Sequence, residues 1–204
     1  MRRPFVTLAP RRFFSVCKCV ALVFGIASLA IIGAVPGAPQ RGGATYHVSP
    51  TGSDSNTGSE ARPFRTIQKA ADSVKPGDTV LVGDGVYAYS GPNDCYGKVV
   101  VCVSRGGSPD NRVVFRSRNK WGAKIDGGNG KAGTGFAVRG GASYVRIQGF
   151  EITGLANADG SASGIDLFDG GSHSQVVGNH VHNIGRVCTN TSNGQNGVFI
   201  EANN

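Results

Sequence analysis

The sequence is poor in the residues that build helical bundles and zinc sites. It has one Met in 204 residues, and beyond residue 40 it has no long stretch of Ala, Glu, Lys and Leu, which argues against a bundle. No Cys-X-X-Cys or Cys/His spacing indicates a zinc site. Its 32 glycines follow no Gly-X-Y period, which excludes collagen. Charged residues are 17% and hydrophobic ones 39%, which excludes a disordered chain. The remaining pattern, rich in Gly, is typical of β-structure with many tight turns.

The net charge of +8 comes largely from the first 40 residues, which hold five basic and no acidic side chains. The rest holds 16 basic and 13 acidic residues, a net charge of +3. One later stretch is basic, with Arg105, Arg112, Arg116, Arg118, Lys120, Lys124 and Lys131 against Asp110 and Asp126. It fits either a solvated rim of turns or a surface that attracts an acidic polymer. We expect polysaccharide rather than nucleic acid as that polymer.

Residues 1–40 have the pattern of an export signal. A basic region is followed by 16 apolar residues (20–35) and then by Pro36, and the segment Arg11-Arg12-Phe13-Phe14 resembles a twin-arginine signal. An uncleaved membrane anchor is the alternative, because the apolar run is only slightly shorter than a bilayer span. We predict an export signal at 1–40, a domain at 41–204, and a periplasmic, secreted or cell-surface location.

Three cysteines remain beyond the leader. Cys95 and Cys102 are close enough to staple a hairpin by a disulfide in an oxidising compartment. Unpaired buried thiols are the alternative. Cys188 is then the odd cysteine.

The second half of the chain repeats itself. A shift of 29 residues superposes 135–138 on 164–167, and a third copy begins at Gly197. Each copy holds short β runs between Gly-rich corners, which predicts an all-β solenoid, a parallel β-helix. An antiparallel sandwich would not need this register. The predicted inward columns are Phe136/Ile165/Val198, Val138/Leu167/Ile200, Ile147/Val176 and Ile152/Val181.

A single helix is predicted before the repeats. Thr66 can cap a helix over residues 67–74, and Pro76-Gly77 ends it. Its apolar residues lie on one face.

Four segments in the first part of the domain form recognisable motifs: YHVSPTGSD (46–54), RPFRTIQKA (62–70), KPGDTV (75–80) and WGAKIDG (121–127). They resemble motifs of secreted right-handed parallel β-helix proteins of the pectate-lyase-like superfamily. The resemblance covers about residues 45–204 and is specific for the fold. It implies that the helix caps the open N-terminal end of the core.

The resemblance also implies an acidic polysaccharide substrate, bound along the outer face of one strand column. Lyases of this kind use Lys or Arg to remove the proton α to a uronate carboxylate, and Ca²⁺ or a basic residue to neutralise that carboxylate. The chemistry requires charge stabilisation where the enolate forms.

Alternation along the first strand of each copy places a set of side chains on the outer face. We predict Asp166 and Glu201 as Ca²⁺ ligands and Arg139 as the catalytic cation. The predicted sugar-binding residues are Phe168, Phe199 and, in a loop, Arg186. The same alternation places Ala137 outward, where a charge should be tolerated. Solvated charges and Phe rings packed beneath a loop are the alternative.

A second outward group is the pair His180 and His182. These side chains can bind a transition metal, or His180 can form a cross-coil charge pair with Glu151.

The function predicted from these patterns is an exported β-helix that engages acidic polysaccharide, and polysaccharide lyase is one candidate activity. The sequence lacks the paired-Asp signature of polygalacturonase-type hydrolases, which argues against inverting hydrolysis. The alternatives are a non-catalytic carbohydrate-binding or surface protein, and an inactive fragment of a longer enzyme. The third copy supplies only a first strand, so we predict a truncated solenoid that self-associates through its open C-terminal coil.

Overall fold

Thirteen short strands and one helix make up the described part of the chain. A computed structural model describes residues 42–93, 95–157, 161–185 and 195–200. The first elements are β1 (Thr45–Val48), α1 (Ile67–Ala71), β2 (Thr79–Val82), β3 (Gly85–Ala88), β4 (Val99–Val103), β5 (Val113–Ser117) and β6 (Ala123–Asp126). They are followed by β7 (Thr134–Val138), β8 (Val145–Gln148), β9 (Glu151–Thr153), β10 (Ala162–Leu167), β11 (Gln175–Val177), β12 (His180–Val181) and β13 (Gln195–Ile200).

The strands form three parallel sheets. Sheet 1 has the order β1-β2-β5-β8-β11, sheet 2 the order β3-β6-β9-β12, and sheet 3 the order β4-β7-β10-β13. From β2 onward the chain visits sheets 1, 2 and 3 in turn and then returns to sheet 1 one rung further along. This is a right-handed parallel β-solenoid of about four turns, as the repeat predicts.

The predicted columns of the core are confirmed by the strand register. Ile165 pairs with Phe136 on one side and Val198 on the other, and Ile147 and Ile152 pair with Val176 and Val181. Because like residues stack about 4.8 Å apart, each rung extends the same apolar column. The last rung is partly open, with Val198 41% and Ile200 68% exposed.

Strand register is kept although the turns differ in length. The step from Ile147 to Val176 is 29 residues, whereas the step from Ile165 to Val198 is 33. A Cβ on Gly164 would lie 2.5 Å from the carbonyl oxygen of Gly197 in the next coil. Glycine at this repeated position therefore allows successive coils to approach closely.

The corner between sheets 1 and 2 is short and specific. Gly149 and Gly178, at two of the Gly-rich corners, adopt φ of +76° and +60°, values that suit a sharp turn. Asn179 accepts a hydrogen bond from the Phe150 N–H (2.9 Å) and donates one to the Ile147 carbonyl (2.9 Å). Its amide thus joins two coils where the ladder is interrupted.

The N-terminal motifs fix loops. Asp54 accepts hydrogen bonds from the backbone N–H groups of Arg65 and Thr66, both at 2.9 Å. Asp78 is buried and accepts from Ala44 N (2.7 Å) and Lys75 N (2.8 Å). Because these carboxylates accept hydrogen bonds from backbone N–H groups, the two Asp residues of these motifs have a structural role.

The elements differ from the sequence prediction in two places. Strand β3 was missed, because only Tyr87 of its four residues is buried and Gly85 favours a turn. Helix α1 ends at Ala71, earlier than predicted, and Ser73 and Val74 both donate to the Ala70 carbonyl. Thr66 caps the helix by accepting from Lys69 N, as predicted.

Candidate functional site

The outer face of sheet 3 carries one column that crosses four rungs. Its members, in register, are Cys102, Ala137, Asp166 and Phe199. All four alternate with the residues of the inward columns, so their side chains point to the outer face of the sheet. The predicted site residues Asp166 and Phe199 are therefore neighbours on adjacent coils.

Arg139 and Asp166 form a bidentate ion pair across two coils. The Nη2–Oδ2 distance is 2.7 Å and the Nη1–Oδ1 distance is 3.2 Å, and the side chains are 18% and 13% exposed. Nη1 also donates to the carbonyls of Val138 (3.2 Å) and Phe168 (3.1 Å). This geometry fixes the guanidinium at the junction of the coils.

Phe168 packs against the same guanidinium. Its ring centroid lies 5.0 Å from Arg139 Cζ, within the range of a cation–π contact. The side chain remains 38% exposed. Arg139, Asp166 and Phe168 thus form one cluster, while the sugar-platform role of Phe168 stays a prediction.

A cleft of about 460 Å³ opens on this face. We call it the sheet 3 cleft. Its lining includes Tyr96, Gly97, Lys98, Thr134, Arg139, Asn157, Ser161, Ala162, Ser163, Asp166, Asn196 and Phe199. Asn157 and Ser161, described residues of the connection between β9 and β10, belong to this lining. Phe168 is not part of the lining.

The lining also contains residues that the sequence prediction did not assign to the site. Tyr96 and Lys98 lie in the loop that precedes β4, and a disulfide between Cys95 and Cys102 closes that loop. The two cysteines were the signal in the sequence, but they indicated a hairpin staple and not a cleft wall. Alternation along strands carries no information about a loop of this kind.

The disulfide loop, residues 95–102, covers part of the outer face. Cys95, Val99 and Cys102 pack on Ala137, which is completely buried. The prediction that a charge at Ala137 is tolerated is therefore wrong. The position does face outward, but the loop lies on top of it.

The carboxylate of Asp166 is poorly placed to bind Ca²⁺ in this arrangement. Both of its carboxylate oxygens accept hydrogen bonds from Arg139. Within the described ranges, no group of three or more His, Cys, Asp and Glu side chains could hold a metal ion. Glu201 lies outside the described residues, so the Asp166/Glu201 calcium pair stays a prediction.

Other predictions also fall outside the described residues. They include the sugar-binding role of Arg186, the state of Cys188, and the export signal at 1–40. No helix among the described residues is long and apolar enough to cross a membrane.

Sheet 2 carries a separate ionic cluster on its outer face. Glu151 accepts from His182 Nε2 at 3.1 Å and lies 3.3 Å from Lys124 Nζ. Burial alone would raise the pKa of Glu151, but hydrogen bonds from His182 and Lys124 lower it below its ordinary value of 4.5.

The predicted pairing of Glu151 with His180 is wrong. These two residues are opposite in the ladder, yet the charge partner is His182, diagonally across. His180 lies instead between the rings of Trp121 (5.1 Å) and His182 (4.5 Å). His180 thus makes ring contacts, and His182 makes the contact with the carboxylate.

The basic stretch between Arg105 and Lys131 is divided among different faces. Arg116 lies on sheet 1, Lys124 lies on sheet 2, and Arg118 is 3.5 Å from Glu60. These charges do not form a single stripe, which favours the interpretation as solvated turns.

Comparisons with known proteins agree with this architecture. The chain is 27% identical over 153 residues to the uncharacterized protein YwoF of Bacillus subtilis, which covers 72% of this chain and 31% of the relative. A rhamnogalacturonan lyase structure is 25% identical with a TM-score of 0.51, covering 61% of this chain and 32% of that one. The pectate lyase Pel9A structure is 16% identical with a TM-score of 0.44, covering 76% and 57%.

The chain spans about a third of the length of YwoF and of the rhamnogalacturonan lyase. A family model described as "Pel9A-like, right handed beta helix region" matches residues 46–204. That match takes in nearly every described residue and agrees with the superfamily resemblance of the N-terminal motifs. The chain therefore belongs to the Pel9A-like right-handed β-helix family.

Proposed function

We propose that this protein binds an acidic polysaccharide in the sheet 3 cleft. The observation that carries the proposal is the composition of the cleft, where the half-buried ring of Phe199 lies beside the Arg139–Asp166 pair. A ring supplies apolar contact for a sugar face, and the ion pair supplies hydrogen-bonding groups at fixed positions.

The charge of the cleft favours an acidic polymer. Arg139 and Asp166 neutralise each other, whereas Lys98 has no acidic partner within 4 Å among the described residues. The described part of the lining therefore carries a net positive charge, which attracts anionic ligands and raises their association rate.

Lyase activity is the second candidate, and the similarity to a rhamnogalacturonan lyase favours it. β-Elimination needs a group that accepts the α-proton and a cation that neutralises the neighbouring carboxylate. The Arg139 guanidinium already donates to a carboxylate and two carbonyls, and it has no free lone pair for a proton. Its orientation suits carboxylate binding better than proton abstraction.

The test is binding of the purified chain to pectate, rhamnogalacturonan, alginate, chondroitin and neutral dextran by affinity electrophoresis. We expect retardation by at least one acidic polymer and none by dextran. An absorbance assay for unsaturated products, with and without Ca²⁺, then separates a lyase from a binder. Absence of binding to every acidic polymer would overturn the proposal.

Site variants locate the binding surface. Phe199→Ala should weaken binding about tenfold, because a ring that contacts the ligand is lost. Val177→Ala, which removes an exposed apolar side chain from the outer face of sheet 1, is the matched control. Equal affinity in both variants would place the ligand elsewhere.

We further propose that α1 closes the N-terminal end of the core. Its residues Ile67, Ala70 and Ala71 are buried, and Gln68 pairs with the edge of β4. The Gln68 Oε1 accepts from Cys102 N at 2.7 Å, and its Nε2 donates to Cys102 O at 3.0 Å. The amide thus occupies edge groups that another strand could pair with. Gln68→Ala should promote self-association, which light scattering would detect.

A further inference from the structure

The disulfide loop is braced by Asn93, the residue two positions before it, and packs on the solenoid through Ala137. Its Cys95 N–H donates to Asn93 Oδ1 at 3.2 Å, and Asn93 Nδ2 donates to the Val99 carbonyl at 2.8 Å. The underside forms a small apolar cluster with Ala137 that is separate from the main core. The loop is therefore anchored on one face of sheet 3.

The upper side of the same loop presents an aromatic ring to solvent. Tyr96 is 97% exposed and lies on the wall of the sheet 3 cleft, next to Gly97 and Lys98. Gly97 adopts φ of +91°, a conformation that side-chain-bearing residues rarely adopt, and this shapes the loop tip. Because the loop is covalently closed, its backbone loses little further conformational freedom when the ring contacts a ligand.

Tyr96 is far more exposed than Tyr87 and Tyr46, two tyrosines that pack within the fold. Tyr87 is buried, and its hydroxyl donates to the Gly83 carbonyl at 2.8 Å. Tyr46 stacks on Phe64 with ring centroids 5.7 Å apart. Tyr96 makes almost no apolar contact of its own, so its removal should not destabilise the fold.

We propose that Tyr96 is the platform of a separate saccharide subsite, and that the Cys95–Cys102 disulfide holds this platform at the cleft. The ring packs against the apolar face of one pyranose residue, and Lys98 pairs with an anionic group of the same polymer. The inference rests on the proposed polysaccharide binding and adds a subsite where the disulfide loop borders the sheet 3 cleft.

The first test compares Tyr96→Ala and Tyr96→Phe in binding to the acidic polymer that the wild-type chain retains. The alanine variant should bind about five- to tenfold more weakly, because the ring is lost. The phenylalanine variant should stay within about twofold, because packing uses the ring and not the hydroxyl. Both should melt like the wild type. Val86→Ala, at another exposed apolar position, is the control.

The second test is a double-mutant cycle between Tyr96 and the Cys95–Cys102 disulfide. Cys95→Ser/Cys102→Ser should weaken binding at least as much as Tyr96→Ala. Adding Tyr96→Ala to the double serine variant should then cause little further loss, because the ring is no longer held in place. A purely structural disulfide would give additive effects on binding, and that result would overturn the proposal.

The third test concerns Lys98. Lys98→Gln should weaken binding to the acidic polymer and reduce its salt dependence, whereas Lys131→Gln, at another exposed lysine, should do neither. If the two variants behave alike, Lys98 has no role in the subsite.

The outcomes separate the inference from the function on which it rests. If the wild-type chain binds no acidic polymer, both are overturned. If it binds and Phe199→Ala weakens binding, but Tyr96→Ala does not, the function stands and the Tyr96 subsite is overturned.

Discussion

The outward column of sheet 3 has two halves that differ although their strands are equivalent. Cys102 and Ala137, on β4 and β7, are buried, whereas Asp166 and Phe199, on β10 and β13, line an open cleft. The same alternation produces both halves. The disulfide loop covers Ala137, whereas Asn157 and Ser161, the described residues on either side of the gap in the loop before β10, line the cleft.

The comparison shows that periodicity predicts on which side of a sheet a residue lies, but not whether a loop covers that residue. A residue that faces outward belongs to the surface only if no loop lies above it. At Ala137 a loop does, and the residue behaves as a core position with its own small cluster. The following predictions test this difference, from the largest expected effect to the smallest.

Ile165→Asp should unfold the chain. The side chain is completely buried between Phe136 and Val198, and an unpaired carboxylate there costs several kcal/mol, a large part of an ordinary stability of about 5–15 kcal/mol. Circular dichroism would show the loss of the β signal. A cooperative melt like that of the wild type would mean that the inward register is wrong.

Ala137→Asp should destabilise the fold by about 2–4 kcal/mol, because the carboxylate would be buried beneath the disulfide loop. The same substitution at Ala88, an exposed position on β3, should change stability by less than about 0.5 kcal/mol. Urea denaturation of the two variants measures the difference. Equal midpoints would show that the loop does not cover Ala137 in solution.

The Arg139–Asp166 pair should contribute a coupling energy of about 1–2 kcal/mol, because both side chains are mostly buried and joined by two hydrogen bonds. A double-mutant cycle with Arg139→Ala and Asp166→Ala measures it. A coupling energy near zero would mean that the pair is not formed, and would leave Asp166 free for another partner.

Glu151→Gln should have the smallest effect on the free energy of unfolding. The pKa of Glu151 is lowered in the folded state, so its stabilisation is present above about pH 4.5 and is lost as the pH falls through the folded value. Because the site is close to solvent, we expect about 0.5 kcal/mol. The stability difference between wild type and Glu151→Gln should therefore shrink as the pH falls below about 4.5.

Asp110→Asn, at an exposed carboxylate, is the control for that measurement. A difference for Glu151→Gln that stays constant down to pH 3 would contradict the pairing with His182 and Lys124.

Much of the fold was predictable because the information is local or repeated. The 29-residue shift matches Ile147 with Val176 and Ile152 with Val181, and the structure confirms both pairs. Strand β3 was not predictable, because a single buried Tyr87 gives no alternating pattern. The pairing of Glu151 with His182 was missed, because ring packing among Trp121, His180 and His182 decides it.

By itself the sequence determined the solenoid, its three inward walls and the outward positions of Asp166 and Phe199. Each of these follows from a period, and stacked coils convert a period directly into contacts. Only the tertiary structure decided that Ala137 is buried, that Arg139 holds both oxygens of Asp166, and that Tyr96 borders the cleft. The physical reason is that these features depend on how loops and long side chains cross from one coil to another, and no repeat specifies such crossings.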